Sequence, residues 1–280
     1  MKNLISRNNP KIKQIHLLLS QRKHRDLSRL FVVEGIRHVG EACAARAGVE
    51  YLCFAPEMLT SDFAIQLVQE QSDLGIPCYP VEKGTFTGLV SKDNPQGILA
   101  VVRQPHLQLD SLSKGNFKWG VALVAPQDPG NIGSILRTID AVGASGLLLL
   151  DDTVHNQFCA DPYHPSSVRA SMGAICWYPL VSTTFVSFVT WAQAQGYHIY
   201  GTSAHATEDY LTVEQYEVPL ILLMGSEREG LTSTQSATCD VMIRMPMKGR
   251  VTSLNLAVAA GVILYAISNN LQSDVEGFYL

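Results

Sequence analysis

The chain has 280 residues, 46% of them hydrophobic and 16% charged, with a formal net charge of −4. That length suits one large domain or two ordinary ones, and the apolar share excludes a disordered chain. The acidic balance excludes a globally basic nucleic-acid protein, so any grip on phosphates must be local.

Basic residues gather at one end. Residues 1–30 carry eight Lys or Arg (Lys2, Arg7, Lys11, Lys13, Arg22, Lys23, Arg25 and Arg29) against one acid, Asp26. Charge alone leaves three readings: a solvated amphipathic helix, an electrostatic arm for phosphates, or a transit peptide. The third is weakened because the stretch runs into folded-looking sequence without a cleavage-like break. For the arm, Arg7, Lys11, Lys13, Arg22 and Lys23 are the candidate RNA contacts. Ile12, Ile15, Leu18 and Leu19 recur at helical spacing, which predicts a helix over 11–25. Strands are predicted at "LFVVEG", "VEYLCFA", "IPCYPV" and "GILAVV", with a helix over 62–71 between the second and third. Residues 1–102 thus read as a small α/β domain. The stretch "RQPHLQLDSLSKGNFK" is polar and has no period, so 103–117 reads as a linker.

Residues 118–280 read as a second domain. Its strands are predicted at "WGVALVA", "GLLLLD", "YHIYGTS", "LILLMG" and "VMIRM". These are near-continuous apolar runs, as parallel strands covered on both faces require. Helical patterns lie between most of them, so the class is α/β with a parallel sheet, and ligands are expected at the strands' carboxyl ends. Six scattered cysteines show no zinc-ligand spacing. With no signal peptide and no apolar run of membrane-spanning length, the chain reads as cytoplasmic, with reduced thiols and no membrane partner.

Three strand ends break the pattern. After "WGVALVA", Ile132, Ile135, Leu136 and Ile139 share a helical face, Asn131 stands where a cap is expected, and Arg137 points away from the stripe. After "LILLM", Gly225 opens a short loop that carries Glu227. It contains neither a P-loop nor a G-x-G-x-x-G pattern, which counts against a nucleotide-dependent oxidoreductase or hydrolase. After "VMIRM", Pro246 and Gly249 mark a loop that carries Lys248 and Arg250. Ser253 and Asn255 then open a helix apolar on every side over 254–267. Such a helix must be buried all round, either by a partner subunit or by its own chain.

In this order, "NIGSILRTIDAVGASG", "LLMGSEREGL" and "IRMPMKGRVTSLNLAVAAGVILY" resemble the SpoU/TrmH family of RNA 2′-O-ribose methyltransferases, within the SPOUT superfamily. "SRNNPKIKQI", "FVVEGIRHVGEA" and "NPQGILAVV" resemble the ribosomal-protein-like substrate-binding domain of its ribosomal-RNA branch, so the likeness covers nearly the whole chain. The resemblance implies a C-terminal trefoil knot, a homodimer formed through it, S-adenosylmethionine as cofactor, no metal, and structured RNA as substrate, 23S ribosomal RNA before transfer RNA. A non-catalytic ribosome-assembly factor on the same scaffold is the alternative of another class. The resemblance also implies cofactor contacts at Gly225, Met245, Ser253 and Leu254, and catalytic positions at Asn131, Arg137, Glu227, Ser253 and Asn255. In "ADPYHPSSVRASMGA", Arg169 and Ser171 fall where the family places a helix near RNA, whereas "CWYPLV" departs from the pattern. The resemblance makes Arg137 the base, but arginine stays protonated. Phosphate binding and stabilisation of the developing oxyanion suit it better.

Overall fold

The computed structural model describes residues 4–90 and 95–276. Lys2 of the basic stretch and Asn94 of "NPQGILAVV" lie outside the described residues. The chain divides into two units, one of Met1–Pro105 with Asp161–Trp177, the other of His106–Ala160 with Tyr178–Leu280.

The first unit begins with α1 (Pro10–Ser20) and α2 (Arg22–Ser28), followed by β1 (Leu30–Glu34), α3 (Ile36–Ala44) and β2 (Val49–Phe54). Then come α4 (Asp62–Asp73), β3 (Cys78–Pro80), α5 (Lys83–Thr87) and β4 (Ile98–Arg103). The sheet order is β1-β4-β2-β3, antiparallel except for the β2–β3 pair. Ile12, Ile15 and Leu18 of α1 pack with Val32, Tyr51, Leu99 and Val101 in its core. Asn9 accepts from the Lys11 amide and Pro10 presets the first turn, which starts α1.

The second unit is built on seven parallel strands. In chain order it has β5 (Trp119–Val124), α6 (Pro129–Val142) and β6 (Leu147–Asp151); α7 (Pro165–Ala170) then returns to the first unit. The second unit resumes with β7 (Leu180–Thr184), α8 (Phe185–Gln195), β8 (His198–Thr202), β9 (Glu208–Asp209) and β10 (Leu220–Met224). It ends with α9 (Ser233–Ser236), β11 (Val241–Arg244) and α10 (Leu256–Glu276). The order is β7-β6-β5-β10-β8-β11-β9, every pair parallel. Every residue of β5 and β10 is buried, as their apolar runs demand.

Four expectations change. The helix over 11–25 breaks at Gln21, whose backbone is extended (φ −128°, ψ 116°). The break lets Arg25, only 2% exposed, place its guanidinium on the Asp161 carboxylate at 2.6 Å and on the Leu18 carbonyl. No local period could report a partner 136 residues away. Residues 103–117 are no open linker. Leu109, Leu112 and Phe117 are buried in the second unit's core, where the Tyr197 hydroxyl donates to the Phe117 carbonyl at 2.6 Å. Apolar residues this sparse, amid Pro, Ser and Gly, set no sustained period, so pattern alone misses them. The segment "CWYPLV" leads into the edge strand β7, and β9 has only two residues; neither was predicted. Finally, α10 is not buried all round within one chain. One face packs on α6, while Val258 and Tyr265, each 53% exposed, and Val262 form an outward stripe.

Removing one member of a buried ion pair leaves the other charge without compensation. Arg25→Met should destabilise the first unit by roughly 3–5 kcal/mol, read by denaturant-dependent hydrogen exchange. Neutralising both members, with Asp161→Asn added, should recover part of that loss; no recovery would refute the pairing as the cause.

Candidate functional site

The sheet order contains a switch point. From β5 the chain winds one way to β6 and β7, and β10 continues the sheet the other way through β8 and β11. Crevices form beyond the carboxyl ends of strands at such points. There the loop after β5 (125–128) meets the loop after β10 (225–231).

Asp128, not Asn131, caps α6. Its carboxylate accepts from the Gly130 amide at 2.7 Å, and Pro129 in the first turn starts the helix early. Asn131 therefore lies within the first turn, buried. Its Nδ2 donates to Glu227 Oε1 at 3.2 Å. The Glu227 carboxylate also accepts from the Gln127 amide at 3.1 Å and sits at the positive end of α6. Because a carboxylate can only accept, the Asn131 amide must present its nitrogen there and its oxygen elsewhere. That oxygen accepts from Asn255 Nδ2 at 3.0 Å. Asn255 Oδ1 in turn accepts from the Ala257 and Val258 amides and caps α10. One polar relay therefore joins all three strand-end motifs.

Beside the relay lies a cavity of about 400 Å³. The predicted positions Gly225, Glu227, Met245, Ser253 and Leu254 all line it, with Met224, Leu231, Ile243 and Ile263 as apolar wall. Gly225 is required at the floor, because a Cβ there would run into the backbone of Gly230 and Leu231, where the loop folds back through a Ser226–Gly230 bridge.

Other predicted residues stand outside the cavity. Arg137 is exposed on α6 and makes no ion pair or hydrogen bond among the described residues. Lys248 and Arg250 are exposed on the loop before α10. Arg169 is exposed on α7 of the first unit, and Ser171 is buried with its hydroxyl on the Val168 carbonyl. Of the basic stretch, Lys11 stacks over the Tyr51 ring at 4.3 Å, Arg22 pairs with Asp26 and Lys23 is exposed. Arg7 and Lys13 line a separate groove of the first unit.

Sequence reasoning missed the end of β8 and the loop after it, whose Thr202, Ser203 and His205 also line the cavity. "YHIYGTS" reads as a strand, and the signal that finds these residues is that a parallel strand's carboxyl end faces ligands. Only the strand order places β8 beside β10. Burial pushes the Cys239 thiol of this unit up to about 11, which disfavours its thiolate.

A sequence model described as the SpoU rRNA Methylase family matches residues 118–265, and one described as the MRM3-like substrate binding domain matches residues 9–100. The chain is 30% identical over 266 residues to the 23S rRNA (guanosine(2553)-2′-O)-methyltransferase RlmP of Bacillus subtilis (strain 168), covering 95% of this chain and 98% of that protein. It is 32% identical over 270 residues to the 23S rRNA (uridine(2479)-2′-O)-methyltransferase of Streptomyces viridochromogenes, covering 93% and 90%. Among solved structures, the AdoMet-bound rRNA methyltransferase from Sinorhizobium meliloti superposes with a TM-score of 0.83 at 31% identity, covering 97% of each chain. With two of the motifs on one cavity, the first joined to them through Asn131, and this likeness along nearly its full length, the chain belongs to the SpoU rRNA methylase family.

Proposed function

We propose that the chain transfers the methyl group of S-adenosylmethionine to a ribose 2′-hydroxyl of 23S ribosomal RNA, in the cytoplasm. The observation that carries this reading is the cavity beyond the carboxyl ends of β8, β10 and β11, walled by the second and third motifs and tied to the first through Glu227 and the Asn131 relay. The cavity suits the cofactor. Its volume of about 400 Å³ falls in the usual range for small ligands, roughly 300–1,000 Å³. Its lining joins an apolar wall to Gly225, Met245 and Leu254 and to the polar residue Ser253. The cofactor supplies an electrophilic methyl on a cationic sulfur. The trefoil knot belongs to the same reading and rests on the family match over 118–265.

The protein must bring the 2′-hydroxyl in line with that methyl and stabilise charge developing on its oxygen. Asn131 fixes Glu227 and Asn255, and through them the start of α10 and the loop at Gly225. Arg137 is uncommitted and exposed, so its fork can take an RNA phosphate and the developing oxyanion. As a guanidinium it does not accept the proton, which leaves to a phosphate oxygen or water. Lys248 and Arg250 add positive charge on the adjoining loop, and Arg169 on the substrate-binding unit.

A homodimer is part of this reading. The stripe of Val258, Val262 and Tyr265 recurs at positions i, i+4 and i+7 on α10, and Val251 and Leu254 before it are also exposed. A contiguous apolar face of that kind suits a second copy of the same surface.

Three outcomes test these points. Gly225→Ala should weaken S-adenosylmethionine binding, measured by calorimetry, by about 1–3 kcal/mol as the overpacked loop shifts; unchanged affinity would remove Gly225 from the site. Arg137→Lys should lower 2′-O-methylation of unmodified 23S ribosomal RNA roughly 10²-fold with cofactor affinity unchanged. Near-normal methylation with unchanged RNA affinity would refute a special role for the guanidinium. In sedimentation, wild-type protein should run as a dimer and the Val258→Asp/Val262→Asp variant as a monomer, and a monomeric wild type refutes the dimer.

A further inference from the structure

The first unit contains a groove of about 550 Å³ between the start of α1 and α5. Arg7, Lys13 and His16 stand on its wall, Asn8 and Thr85 add polar side chains, and Ile12, Leu17 and Leu89 give it apolar surface. Among the described residues no Asp or Glu lines it, although the Thr85 hydroxyl donates to the Glu82 carboxylate at 3.4 Å. The structure divides the basic stretch into committed and available cations. Arg25 is buried on Asp161, Lys11 lies on Tyr51 and Arg22 pairs with Asp26. Arg7, Lys13 and His16 make no side-chain hydrogen bond or ion pair among the described residues. Asn8 likewise keeps its amide uncommitted.

A surface that only met a phosphate backbone would need charge and no depth. A volume of this size, apolar on one side and cationic on the other, matches the two ends of one nucleotide. An unstacked base brings a flat apolar body with a hydrogen-bonding edge, and its phosphate brings the charge. Protein readers of RNA take such splayed nucleotides from loops and bulges, because the deep groove of an RNA duplex hides its base edges. We propose that this groove is a recognition subsite for one unpaired nucleotide of the ribosomal RNA, with its base on Ile12, Leu17 and Leu89, its edge at Asn8, and its phosphate on Arg7 and Lys13. The methylated nucleotide itself belongs at the cofactor cavity, so this is a second nucleotide of the same substrate. The proposal rests on the methyltransferase reading only for the identity of the RNA.

Two variants separate base from phosphate. Arg7→Ala/Lys13→Ala removes the charge. Gly84→Leu fills the groove: Gly84 lines it, a Cβ at that position meets nothing within 4 Å, and the residue lies in α5, where leucine is the better helix former. Binding of unmodified 23S ribosomal RNA transcript is measured by filter retention across a salt series, with circular dichroism to confirm folding and calorimetry with S-adenosylmethionine as control. Both variants should weaken RNA binding about tenfold or more, as loss of a stacked or bidentate contact does, with cofactor affinity unchanged. Only the charge variant should flatten the salt dependence, by roughly two units of slope for two phosphate contacts. If Gly84→Leu binds RNA within twofold of wild type, no base enters and the proposal is overturned. If neither variant changes binding, the groove does not meet RNA and the proposal falls with it. Groove-dependent binding by a wild-type protein that methylates nothing would overturn the methyltransferase reading and leave the subsite standing.

Discussion

The second unit is organised by one side-chain amide. Asn131 donates to Glu227 and accepts from Asn255, so the loop after β5, the loop after β10 and the start of α10 are held in one register. The direction of the relay is forced. Glu227 already accepts main-chain amides at the start of α6, which leaves only a donor as a suitable neighbour. Asparagine supplies that donor together with an acceptor, in a fixed geometry that neither aspartate nor leucine can copy. An aspartate there would set two carboxylates against each other at the end of a helix. The cavity beside the relay inherits this order, because its lining includes the loop after β10 and the start of α10.

A different economy of charge governs the first unit. Eight cations in the first 30 residues suggest one uniform basic surface, but the fold assigns them separate tasks. Arg25 is spent inside the protein, where its guanidinium holds Asp161 of a segment far along the chain and leaves α2 no freedom to continue α1. Lys11 is drawn onto an aromatic face. Of the rest, Arg7 and Lys13 border a groove with depth and Lys23 is exposed away from it. Net charge is therefore a poor guide to where RNA is held; the position of each cation relative to its nearest carboxylate is a better one.

Much of the fold was legible because its physics is local. Continuous apolar runs gave the buried parallel strands β5, β6 and β10, and period gave α4 and the buried face of α6. Strands β7 and β9 escaped because they are a half-polar edge and a two-residue pairing. Residues 103–117 escaped because Leu109, Leu112 and Phe117 fill a core from a stretch too polar and too rich in turn residues to show a sustained period.

The sequence by itself determined which residue types the site would hold and the family to which they belong, since Asn131, Gly225, Glu227, Ser253 and Asn255 occur in motifs whose order along the chain is readable. Tertiary structure alone decided that Asn131 is a buried relay and not a helix cap, that Arg137 stands outside the cavity, and that Thr202, Ser203 and His205 complete its wall. It also decided that Arg25 is structural while Arg7 and Lys13 face a groove. The reason is common to all of these. Hydrophobic period and capping act over a few residues, whereas a hydrogen bond or ion pair between positions 96 to 136 residues apart exists only once the strand order has brought them together.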